Sequence, residues 1–160
     1  MGKLFFIVAI FATAFLSKSV AQDASTTTQL SQLLASYYNI KDALVGGNSN
    51  SASTSAALFV KAANGIDYKV IPEGNINALL KDAGKISRTK DIKQQRETFS
   101  SFSANMVALS KVVKLSAQPI YEAYCPMKKA YWLSNDKAIK NPYYGSAMLT
   151  CGKVVETINQ

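Results

Sequence analysis

Between positions 92 and 113 the residues Ile92, Gln95, Phe99, Phe102, Met106, Leu109 and Val113 follow one another in alternating steps of three and four. That spacing keeps one face of an α-helix apolar along its whole length and forms the seam of an antiparallel helical bundle. A helix over about 90–115 therefore needs partner helices to cover this seam. Pro119 cannot continue it.

The partners are legible upstream. From 29 to 45, Leu30, Leu33, Leu34, Tyr37 and Leu44 recur at helical spacing, and Gly46-Gly47 stops the run. The polar "QDASTTTQ" ahead of it is expected to fray until a threonine caps the helix. "NSNSASTS" connects to a second helix over about 52–63, whose buried stripe is Ala56, Phe59, Val60 and Ala63. Gly65 and Pro72 break the pattern. A short third helix over 75–83 turns Ile76, Leu79 and Leu80 inward, with Gly84 closing it, and the 90–115 helix is expected to be the longest. The fold class predicted is mainly α, an antiparallel bundle of about four helices.

Beyond Pro119 the texture changes. Five of the eight tyrosines and the single tryptophan, Trp132, lie between Ile120 and Tyr144. "IYEAYC", "AYWLS" and "KVVETI" read as extended, and Asn141-Pro142 marks a loop. A small, aromatic, partly extended module over about 119–160 is expected to follow the bundle. Its aromatics make a small core, or a wall in which Trp132 or Tyr131 shields the sulfurs.

The first 21 residues read differently. "MGKLFFIVAIFATAFLSKSVA" carries Lys3, an apolar run from Leu4 to Leu16, and small residues at Ser19 and Ala21. This is the pattern of an export signal, and the run is too short for a membrane anchor. The expected organisation is a signal peptide over 1–21 and a single soluble, exported domain over 22–160, with no transmembrane segment in the mature chain. Removing Lys3 and Lys18 lowers the formal charge from +8 to +6. The remaining basic residues are mixed with acids rather than gathered with aromatics, so no nucleic-acid partner is expected.

The chain has no histidine. That excludes serine–histidine and cysteine–histidine nucleophiles and mixed histidine–thiolate zinc sites. Acids are few and scattered, and no phosphate-binding glycine loop is present. An enzyme is not expected.

The two cysteines carry the remaining chemistry, each with a methionine beside it: Cys125 with Met127, and Cys151 with Met148. Pro126 pushes Cys125 toward an extended conformation, in which residues two apart face the same way. One helical turn would put Met148 and Cys151 on one face. Two thiolates and two thioethers form a soft donor set suited to Cu(I) or Ag(I) rather than to oxygen-seeking cations. Equally, two cysteines in an exported protein suit a Cys125–Cys151 disulfide, with the methionines as core filler.

The segments "YYNIKDALV" at 37–45, "DIKQQRETFSSFSANM" at 91–106, "YCPM" at 124–127, "AYWLS" at 130–134 and "NPYYGSAMLTCGKVVETI" at 141–158 occur in a specific order. In this the chain resembles an uncharacterised exported helical domain found alone or at the C-terminal end of copper/silver efflux periplasmic adaptor (membrane-fusion) proteins. The resemblance implies a periplasmic domain concerned with Cu(I) or Ag(I). It places metal ligands at Cys125, Met127, Met148 and Cys151. With no adaptor body in this chain, it implies an efflux adaptor or other envelope protein as a separate partner. Arg96, within "DIKQQR", is expected either to be solvated or to clamp the C-terminal module onto the bundle.

Overall fold

The computed structural model describes residues 16–158, with side chains from residue 24 onward. Four helices come first: α1 Leu16–Val45, α2 Ser49–Asn64, α3 Glu73–Arg88 and α4 Ile92–Val112. Strands β1 Ile120–Cys125, β2 Ala130–Ser134 and β3 Lys153–Ile158 follow, with a 3-10 turn at Gly145–Met148 ahead of β3. The chain is mainly α with a small antiparallel sheet at its C-terminal end. Residues 1–15 of the expected export signal lie outside the described residues, and 16–21 continue the backbone of α1. Among the described residues, no helix is long and apolar enough to cross a membrane.

Each helix packs on the next, joined by short connections that make neighbours antiparallel. The core centres on aromatic rings from three helices. Tyr37 of α1 stacks on Phe99 of α4 with centroids 5.5 Å apart, and Phe59 of α2 meets Phe102 of α4 edge-on at 4.8 Å. Offset and edge-on arrangements suit the ring quadrupoles. Helix α3 contributes Ile76, Leu79, Ala83 and Ile86, all buried.

Gln95, the one polar residue on the α4 seam, is fully buried. Its amide donates to the carbonyls of Thr89 at 2.8 Å and Ser49 at 2.9 Å. A side chain on the seam thereby caps the end of α3 and ties it to the start of α2.

Local signals set most helix ends. Asn48 accepts from the Ser51 N–H at 2.9 Å and starts α2, and Asp91 accepts from the Lys93 N–H at 2.8 Å and starts α4. Three expectations are corrected. No threonine caps α1, because the Thr28 hydroxyl donates to the Ala24 carbonyl one turn back, inside a continuous helix. Gly84 does not close α3. The helix runs on to Arg88, and burial of Ile86 offsets the roughly 1 kcal/mol that glycine costs in a helix interior. With α3 reaching Arg88, α4 starts at Ile92 and ends at Val112, so α1 is longer than α4.

The sheet order is β2-β1-β3, all antiparallel, with a register shift at Glu122/Ala123. The three strands coincide with the segments read as extended. Strand β2 lies against α4, and Lys111 of α4 reaches both Glu122 and Glu156 at 3.0 Å. Those two carboxylates stand opposite each other on β1 and β3. The lysine offsets a like-charge pair that would otherwise weaken the sheet.

Candidate functional site: a buried thiol pair

Strand register brings the cysteines together. Tyr124 pairs with Lys153, so continuing that register past the strand end sets Cys151 against the corner that follows Cys125. Their Sγ atoms are 3.9 Å apart, and both thiols are free. Cys125 is fully buried and Cys151 is half-buried.

Asn141 holds the pair in place. It is fully buried, and its Nδ2 donates to Cys125 Sγ at 3.2 Å and to the Cys151 carbonyl at 2.7 Å. Its Oδ1 accepts the N–H groups of Tyr143 at 2.8 Å and Tyr144 at 3.3 Å. One amide side chain thus closes the 141–145 turn and positions both cysteines. In the sequence, Asn141-Pro142 marks only a loop. The available signal was the habit of asparagine at turns to accept backbone N–H groups two or three residues on.

Further N–H donors surround the sulfurs. The Lys128 N–H points at Cys125 Sγ at 3.4 Å. Partial burial and the neighbouring Cys125 thiol push the Cys151 thiol upward, against the pull of a hydrogen bond from the Met127 N–H.

Trp132 and Gly152 wall the site. A Cβ on Gly152, whose φ is +149°, would come within 2.6 Å of the Trp132 ring and 3.0 Å of the Tyr124 carbonyl. Only glycine lets the chain leave Cys151 this close to the indole. Trp132 is buried edge-on to Tyr143 at 6.1 Å, and the Tyr143 hydroxyl donates to the Tyr131 carbonyl. Tyr131 itself is exposed and leans on Tyr124.

The methionines sit differently from the thiols. β1 ends at Cys125, and 126–129 form a turn rather than extended chain, so Met127 does not share the face of Cys125. Its side chain is 62% exposed. Met148 ends the 3-10 turn half-buried, and its carbonyl accepts the Cys151 N–H at 3.1 Å. Among the described residues no three His, Cys, Asp or Glu side chains gather into a metal cluster.

Arg96 lies beside this module, with Nη2 donating to the Leu44 carbonyl at 2.8 Å. The carbonyl it holds belongs to the end of α1, not to the C-terminal module. The guanidinium nonetheless abuts Gly145, where any Cβ would overlap it.

Comparison with curated proteins and with solved structures finds no match. A family match covers the bundle and stops before β1, so Cys125, Met127, Met148 and Cys151 lie beyond it. The match takes in the segments at 37–45 and 91–106 and bears out an uncharacterised domain family, while the motifs from Tyr124 onward lie outside it. Spanning residues 33–118, it covers more than half of the sequence, and the chain belongs to the family described as "Protein of unknown function (DUF3347)".

Proposed function

We propose that the protein is a non-enzymatic, periplasmic binder of Cu(I) or Ag(I) that buffers or carries the ion in connection with efflux. The supporting observation is the thiol pair: two sulfurs from distant parts of the chain, 3.9 Å apart and packed around Asn141. With metal–thiolate bonds of about 2.3 Å, that separation corresponds to an angle of about 116° at a bridging ion. A third ligand can then complete a trigonal set. Met148 in its half-buried turn and Met127 on the rim are the thioethers nearest in sequence to the thiols. The donor set suits a soft, low-coordinate ion. Zinc would need further thiolate, imidazole or carboxylate ligands, and the described residues offer no such cluster.

The same 3.9 Å gap favours a second reading, in which oxidation closes a Cys125–Cys151 disulfide and the module serves as an envelope interaction domain. Closure would draw the sulfurs to about 2.05 Å. A thiol count on denatured protein purified without reductant separates the two. Free thiols support metal binding, and complete oxidation supports the staple.

A further inference from the structure

A second feature lies across the 141–145 turn from the thiols. A cavity of about 440 Å³ opens between the first turns of α4 and the segment before β3, lined by Lys93, Arg96, Glu97, Tyr143, Tyr144 and Ala147. Its volume falls within the range of about 300–1,000 Å³ typical of small-ligand sites. Two of its walls are tyrosines whose backbone N–H groups are fixed by Asn141. The shape of the cavity is therefore set by the same hub as the thiol pair.

Its charge is not internally balanced. The carboxylate of Glu97 is engaged by Lys128 at 2.6 and 2.7 Å, which leaves Lys93 and Arg96 as the cationic lining. The Arg96 guanidinium is held from behind by the Leu44 carbonyl, a neutral acceptor. Its Nε–H is buried without a partner, and desolvation depresses its basicity. Buried charged donors are normally paired, and the planar guanidinium fork matches a carboxylate with two parallel hydrogen bonds. No side chain at position 145 could share the space, because a Cβ there would overlap the guanidinium.

We propose that this cavity is a binding site for a small organic carboxylate, held by Arg96 and Lys93 against the faces of Tyr143 and Tyr144. The ligand chemistry is a carboxylate beside an apolar or aromatic body, which a free organic acid or the C-terminus of a peptide can supply. The site does not depend on the soft-metal reading, and its test uses reduced, metal-free protein.

Benzoate, a short peptide ending in phenylalanine and the same peptide amidated at its C-terminus are titrated at constant ionic strength, with binding followed by amide NMR. Benzoate should shift the signals of Tyr143, Tyr144 and Ala147 saturably, and the amidated peptide should not. Binding of the free-acid peptide would assign the site to peptide termini, and its exclusion would assign it to free acids. Arg96→Gln should weaken benzoate binding by about tenfold or more, consistent with loss of a charge-assisted pair. If Arg96→Gln fails to fold, Lys93→Gln at an exposed position should still weaken binding severalfold. Unsaturable shifts in the parent, or equal affinity in folded Arg96→Gln or Lys93→Gln, would overturn the proposal.

Discussion

The hydroxyl of Tyr37, on the first helix, accepts the backbone N–H of Leu133, on the second strand, at 3.0 Å. The same oxygen lies 2.5 Å from the Ser103 hydroxyl of α4. One buried phenol therefore joins two helices to the sheet that carries Cys125.

Removing that oxygen leaves the buried Leu133 N–H unpaired and takes one partner from the Ser103 hydroxyl. Tyr37→Phe should destabilise the protein by about 1–3 kcal/mol, with most of the loss at the junction of bundle and sheet. Denaturant titration gives the total. Amide exchange at Leu133 should accelerate more than at core positions of α2. Unchanged exchange at Leu133 would show that the hydrogen bond does not anchor the strand.

Burial holds the phenols of Tyr37, Tyr38 and Tyr143 well above the ordinary tyrosine range. An acid whose folded pKa exceeds its unfolded value stabilises the fold below the unfolded pKa and loses that contribution as pH rises past it. Stability should therefore decline above about pH 10. In a spectrophotometric titration these three should ionise only with unfolding. Ionisation of these three phenols in folded protein would contradict their desolvation.

Phe99 is fully buried between Tyr37, Phe102 and Tyr143. Phe99→Ala should cost about 3–5 kcal/mol through lost burial and the cavity left behind. A loss below about 0.5 kcal/mol, the scale of an ordinary surface substitution, would place Phe99 at the surface.

How far the sequence led differs between the two halves. The α4 stripe identified buried or half-buried residues along its whole length, because a period of three and four residues is a local signal. "IYEAYC", "AYWLS" and "KVVETI" likewise matched the strands. Pairing β1 with β3 was not legible, since it joins residues about 30 positions apart with only register to guide it. Gly84 misled because tertiary packing overrode local propensity. The expectation that Met127 would face with Cys125 assumed that β1 continued past Pro126, where the chain instead turns. Asn141 escaped notice because a single buried amide leaves no periodic trace.

Gly152 gives a sharp test of the thiol geometry. Gly152→Ala should be destabilising, since its Cβ has no space against Trp132 and the Tyr124 carbonyl. In refolded variant protein, oxidation of the two cysteines to a disulfide should change rate, because the chain leaving Cys151 must shift. A variant with parent stability and parent oxidation rate would mean that the indole does not constrain Cys151.

Whether Cys125 and Cys151 hold a soft metal ion is decided by competition for Cu(I). Reduced, folded protein is titrated against a colorimetric Cu(I) chelator, with Ag(I) and zinc as competitors. About one Cu(I) should bind per chain, displaced by Ag(I) and far less by zinc. Cys125→Ser and Cys151→Ser should each weaken binding severely. Met127→Leu and Met148→Leu should weaken it less, and oxidation to the disulfide should abolish it. Fully reduced, folded protein that fails to compete for Cu(I) at all would rule out the soft-metal site and leave the cysteines as a structural staple.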